Sequence, residues 1–105
     1  MPFIDTAKLD VLNKRPGWHG RMFHSANNTF VWWEFDAGAD IHQHNHEQEE
    51  VWQVIEGELE VTIKGITRLC GPGTVAIIPP NTAHSVQVVR AGHAIVVDHP
   101  LREGF

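Results

Sequence analysis

Between Glu58 and Cys70 the chain reads ELEVTIKGITRLC, and the alternation in this stretch leaves little freedom of fold. Leu59, Val61 and Ile63 fall at every second position among Glu58, Glu60, Thr62 and Lys64. Successive side chains of a strand point to opposite faces, so this period puts the aliphatic set on a buried face and the polar set in water. Gly65 follows and a second run starts at once, which predicts a tight hairpin. The same texture fills most of the chain: WHGRMFH, TFVWWEF, VWQVIE, ITRLC, TVAIIP, HSVQVV and AIVVD are rich in β-branched or aromatic residues and are punctuated by Gly, Pro, Asn and Asp. About eight strands with no helical period between them predict an all-β, antiparallel sandwich or barrel of the jelly-roll type. The first dozen residues are expected to form an N-terminal arm, either extended or making a short helical turn around TAKLDVL.

At 105 residues the chain is the size of one domain, and residues 1–105 are expected to share one core. Hydrophobic residues make up 42% and charged residues 20%, a balance that argues against a disordered chain. Eight basic and thirteen acidic residues leave a formal charge of −5, with no Lys/Arg stripe to displace counterions from a phosphate backbone, so no nucleic-acid partner is expected. No apolar stretch approaches the roughly 20 residues that cross a bilayer. The start, MPFIDTAKLD, lacks the basic and apolar segments of a signal peptide, so no membrane partner and a cytoplasmic location are expected. The single Cys70 allows no internal disulfide and ends an apolar run, where core packing is its expected role.

The segment HQHNHEQEE, from His42 to Glu50, holds three of the chain's eight histidines and three of its acids. In an extended segment His44 and His46 would present their rings to one side, near enough to share a metal ion. Glu50 would add a hard anionic oxygen, a combination that suits divalent first-row metals. A further ligand would come from PPNTAHSVQV, where His84 begins a run whose alternate members His84, Val86 and Val88 read as buried. A histidine pair on a wet strand face is the alternative.

These two segments resemble the paired motifs of the cupin superfamily of small β-barrels. The first motif, G-x5-H-x-H-x3,4-E-x6-G, is met by Gly38, His44, His46, Glu50 and Gly57, and the second, G-x5-P-x-G-x2-H-x3-N, by Gly73, Pro79 and His84. Asn81 stands where a Gly is usual and Val88 where an Asn is usual. Asn tolerates the left-handed backbone that a Gly would supply, and the family's Asn is not a ligand. The motifs cover residues 38–57 and 73–88, and the strand pattern extends the likeness to nearly the whole chain. The resemblance implies a single-domain jelly-roll barrel in which His44, His46, Glu50 and His84 hold one divalent transition metal per chain: Fe, Mn, Ni or Zn. The short segment between Gly57 and Gly73 is similar to that of the compact microbial members. Two-fold pairing of barrels, frequent in the superfamily, implies a homodimer. The adjacent Trp32 and Trp33 agree with it, since one of them must face outward and needs cover.

Within the superfamily the chain looks most like the small cupins of pectin and alginate breakdown, which open the ring of unsaturated uronates. The likeness rests on HQHNHEQEE, on EGELEVTIKG, and on the tail DHPLREGF, where Pro100, Arg102 and Glu103 match. It implies that Arg102 binds a substrate carboxylate, an ordinary surface role being the alternative. Those enzymes carry an acid six positions before this arginine and an aromatic four before it; Val96 and Asp98 stand there in this chain, with Asp98 a carboxylate in a shifted register.

Around the cluster, His42 is expected at the rim of the mouth, Glu47 and Glu49 in solvent, and Gln48 as a support for the ligands. Trp52 shares the alternation of Glu50 and lines either the pocket or the core. His19, His24, His93 and His99 are isolated and read as surface or structural residues. A three-histidine, one-carboxylate site leaves coordination positions open, as catalytic sites require. The expected function is that of a metal-dependent enzyme acting on a small polar or anionic metabolite such as a sugar acid. The alternatives are a metal-dependent dioxygenase or isomerase of a small aromatic or keto acid, and a non-catalytic module that binds or senses a small molecule.

Overall fold

A computed structural model of the chain describes residues 3–104. Among them lie eight strands, all paired antiparallel: β1 (Leu12–Arg15), β2 (Trp18–His24), β3 (Thr29–Phe35), β4 (Asp40–His44), β5 (Glu49–Ile63), β6 (Ile66–Cys70), β7 (Val75–Ile78) and β8 (His84–His99). They run in the order β1-β2-β3-β8-β5-β6, with β4 on β8 and β7 on β5. The fold is the all-β jelly roll that the alternation predicts. A single 3₁₀ turn, Thr6–Lys8, is the helical turn expected in the arm; the Asp5 carboxylate caps it by accepting from the Ala7 N–H.

The structure departs from the sequence pattern in the two long strands. VWQVIE and ELEVTIK fuse into β5, and HSVQVV and AIVVD fuse into β8. Each pair was expected as separate strands because Gly57 and Gly92 interrupt them. These glycines instead let two backbones cross closely: a Cβ on Gly57 would lie 2.6 Å from the Arg90 carbonyl oxygen, and one on Gly92 would lie 2.0 Å from that of Glu56. The β5–β8 register slips three times between Val54 and Leu59, so both strands bend there without ending. One half of β5 pairs with β7 and the other with β6. The sequence pattern does not mark β1 and β4, because LNKR and DIHQH carry almost no β-branched or aromatic residues.

The hairpin predicted at Gly65 is present, with Ile63 paired to Ile66 and positive φ at both Lys64 and Gly65, as a two-residue type I′ turn requires. Leu59 and Val61 are buried, and Cys70 packs in the same core. Trp18 lies edge-on to Trp33 at 5.7 Å and to Trp52 at 6.0 Å between ring centroids, forming an aromatic layer under the site.

Trp33 faces this interior and Trp32 faces out, where it stacks on His93. On that outer face the pairing lines up whole ranks across the sheet. Phe23, Phe30, Val97, Val51 and Ile77 form one rank, and Arg21, Trp32, Ile95, Gln53 and Val75 form the next. Among the described residues no helix is long and apolar enough to cross a membrane.

Candidate metal centre

Two cross-strand pairs build the site. His44 on β4 stands opposite His84 on β8, and Glu50 on β5 stands opposite Asp98 near the other end of β8. Directly opposed residues share a face of the sheet, so each pair brings its side chains together. His46 arrives differently from the expectation of simple alternation. It lies in the loop between β4 and β5, where its carbonyl accepts a 2.8 Å hydrogen bond from the Asn81 N–H. Asn81 has φ 57°, the left-handed conformation anticipated where the motif usually has Gly. The turn before β8 thus holds the loop before β5.

The imidazoles are oriented alike. Nδ1 of His44 bonds the His42 carbonyl at 2.9 Å, Nδ1 of His46 the Gln48 carbonyl at 3.1 Å, and Nδ1 of His84 the Thr82 carbonyl at 2.8 Å. A carbonyl only accepts, so each Nδ1 carries the proton and each Nε2 presents a lone pair. Ligand atoms of the three histidines lie within 4.8 Å of one another. Nε2 of His46 and of His84 is buried without a hydrogen-bond partner.

Glu50 faces them. Its Oε1 is 3.2 Å from His46 Nε2 and its Oε2 is 3.5 Å from His84 Nε2, while the Trp52 indole N–H donates to Oε2 at 2.6 Å. Lone pairs set against a carboxylate at this range are reconciled by a cation or a proton between them, so the donor set fits a divalent ion and could hold one. Burial alone would raise the Glu50 pKa, but the facing His46 and His84, the Trp52 N–H and Asp98 hold it well below the usual carboxylate range. Burial, with the neighbouring His84, lowers the pKa of His44. His84 goes up despite its burial, because Glu50 and the Thr82 carbonyl favour its charged form.

The other candidates fall into place around this centre. His42 is exposed at the pocket mouth; the β4–β8 register slips between Ile41 and His44, so His42 drops out of the inward set. Glu47 and Glu49 are exposed. Gln48 is buried and doubly engaged, its carbonyl taking the His46 proton and its amide donating to the Leu101 carbonyl at 3.2 Å. Trp52 is buried and lines the pocket.

Arg102 is no ordinary surface residue. Its Nη1 lies 3.5 Å from both Glu50 and Asp98, and its backbone N–H donates to the Thr29 hydroxyl at 2.9 Å. Asp98, noted in the sequence only as a shifted carboxylate, is fully buried behind Glu50, and together with His46 and Glu50 it forms a second cluster of ligand type. Burial and the adjacent Glu50 charge push its pKa up to about 8. Val96 occupies the pocket wall where the ring-opening cupins have their acid, so that place is apolar. Thr29, Lys14 and Arg15 also shape the site and were not anticipated; their link to it is a matter of strand pairing, which the sequence does not display.

The pocket above the histidines has a volume of about 390 Å³, and its wall includes His42, His44, Glu50, His84 and Arg102 over Trp33, Trp52 and Val96. A family model for the cupin domain matches residues 31–99. The chain belongs to the cupin family. Among solved structures, this cupin is similar to an RmlC-like cupin from Shewanella frigidimarina, with a TM-score of 0.90 and 25% identity over 96% of this chain and 92% of that one. KdgF from a Halomonas species superposes with a TM-score of 0.87 and 27% identity over 96% and 94% of the two chains. Oxalate decarboxylase from Bacillus subtilis, which has Mn(II) centres, shares the fold at a TM-score of 0.79 and 23% identity, over 92% of this cupin and 29% of that protein. None of the curated proteins matches the chain by sequence.

Proposed function

We propose that this cupin is a metal-dependent enzyme acting on a small anionic metabolite of the sugar-acid type. His44, His46, Glu50 and His84 hold one divalent transition metal, and Arg102 binds a carboxylate of the substrate. The observation that carries the reading is the convergence of three imidazoles, each fixed by a carbonyl at Nδ1, two of which set Nε2 against a buried carboxylate at the floor of an open pocket. The bound ion would supply a Lewis-acidic centre that polarises a substrate oxygen or activates water.

The chain's own groups would do the rest. The Trp52 indole keeps Glu50 oriented and ionised, and the apolar wall of Trp33, Trp52 and Val96 excludes water from the reacting face. Arg102 engages Glu50 and Asp98 through Nη1, and its planar guanidinium at the pocket wall is the group that would meet a substrate carboxylate. Val96 offers no proton-transfer group at its place on the wall, and the three histidines are each committed at Nδ1 to a backbone carbonyl.

The test has two parts. Elemental analysis of the purified protein should find one divalent metal per chain. Arg102→Met should then weaken galacturonate binding by about ten-fold while sparing the metal. Full metal occupancy in His84→Ala, or unchanged galacturonate affinity in Arg102→Met, overturns the assignment. Oxygen uptake with the iron-loaded protein would move the reading to a dioxygenase.

The cytoplasm suits the single buried thiol. Two copies are proposed to meet through the outer ranks around Trp32 and Phe30. The rank from Phe23 to Ile77 is apolar across five strands, with Ile77 59% and, in the next rank, Val75 49% exposed. A two-fold axis normal to such a face lets it cover its own copy without a second kind of partner.

A further inference from the structure

The charge of the pocket runs against that of the chain. The protein has a formal charge of −5, with only eight basic residues. Three of them, Lys14, Arg15 and Arg102, line this one cavity, while Glu50 is the only acidic side chain among the described residues that line it. Glu50 is committed to His46, His84 and Arg102. With a divalent ion at the histidines the cavity would be strongly positive.

Lys14 and Arg15 both reach the cavity because β1 is irregular. Consecutive residues of a regular strand point to opposite faces. From the Leu12↔Gly20 pair to the Arg15↔Trp18 pair, β1 advances by three residues (15 − 12) and β2 by two (20 − 18). The extra residue is a bulge, a device that re-aims side chains at barrel rims. Arg102 enters on a separate element, the tail that Thr29 and Gln48 pin down. The cations therefore form two groups carried by the two ends of the chain.

We propose that Lys14 and Arg15 form a second anion-binding subsite, so that the pocket takes a small molecule with two anionic groups, one held by Arg102 beside the metal and the other by β1. This rests on the function proposed above and adds the substrate class. A cavity of 390 Å³ corresponds to a sphere about 9 Å across, room for a skeleton of about six carbons with an anionic group at each end. The second group is a carboxylate or a phosphate, both of which suit a Lys–Arg pair.

The experiment is calorimetric titration of the Mn(II)-loaded protein with three probes: galacturonate with one carboxylate, galactarate with two, and 6-phosphogluconate with a carboxylate and a phosphate. At least one of the two dianions should bind about ten-fold or more tightly than galacturonate, and which one does identifies the second group. In K14M/R15M that margin should vanish while galacturonate affinity stays within about two-fold. K64M/R68M, which removes two exposed cations from the β5–β6 hairpin, should keep the margin and so exclude a general charge effect. Lys14→Met alone, at an exposed position, should halve the margin or more if the double variant does not fold. Equal binding of all three probes to the wild type, or a margin that survives in K14M/R15M, overturns the second subsite and leaves the metal and Arg102 untouched. No binding of any probe overturns both.

Discussion

Adding metal to the chelated protein should raise its melting temperature steeply, and His84→Ala should cut the rise sharply. A ligand that binds only the folded state stabilises it by RT ln(1 + [L]/Kd), about 2.7 kcal/mol at a hundred-fold excess over Kd. Unfolding entropy near 2.1 cal/mol/K per residue gives about 220 cal/mol/K for 105 residues, so that stabilisation corresponds to about 12 °C. The structure says why His84 is decisive. It is 2% exposed, its Nε2 has no hydrogen-bond partner, and its removal leaves Glu50 and two histidines to hold the ion. The truncation itself should cost about 1–3 kcal/mol in the metal-free protein, because the Thr82 carbonyl loses its donor in the interior. Differential scanning calorimetry of wild type and His84→Ala, each with EDTA and with Mn(II), Fe(II), Ni(II) or Zn(II) in turn, measures both effects. A metal-induced rise of equal size in the two proteins, or no rise in the wild type with any of the four ions, would refute the reasoning.

Two further outcomes follow from the site and from the outer face. Asp98 has a folded pKa of about 8 against an ordinary value of 3.8, so the fold favours its protonated form. Its contribution is fully present below about pH 4 and is lost as pH rises towards 8, whereas the lowered pKa of Glu50 acts only at the acid end of the range. Metal-free wild type should therefore lose stability between about pH 5 and 8, and Asp98→Asn should flatten that slope and melt higher at pH 8 by about 1–3 kcal/mol of stability; parallel slopes in urea titrations would count against it. In sedimentation, the wild type should run at twice its 11.8 kDa mass, and Ile77→Lys, on a side chain 59% exposed, should shift it to monomer without lowering metal content. A monomeric wild type, or an unmoved dimer in Ile77→Lys, would remove the pairing face.

Much of this was legible in the chain. The alternation of Leu59, Val61 and Ile63 marked the buried face, and Lys64–Gly65 marked the hairpin, because both are local consequences of backbone geometry. The four residues of the two motifs meet in the structure. What stayed hidden was register. Nothing in the sequence says that Glu50 faces Asp98, that β4 slips so that His42 leaves the inward set, or that a bulge turns Lys14 and Arg15 together. The strand breaks suggested at Gly57 and Gly92 failed for a related reason: a glycine can mark the close passage of two backbones as well as a turn, and only the pairing tells which.

The short segment from Leu101 to Gly104 carries a practical consequence. It supplies a wall of the binding cavity and is fastened through its backbone to Gln48 and Thr29 and through the Arg102 guanidinium to Glu50 and Asp98. An oligohistidine purification tag fused after it would dangle extra imidazoles over the mouth, where they would compete for the ion and crowd the opening. Assays of loading and affinity belong on protein from which any such appendage has been cleaved.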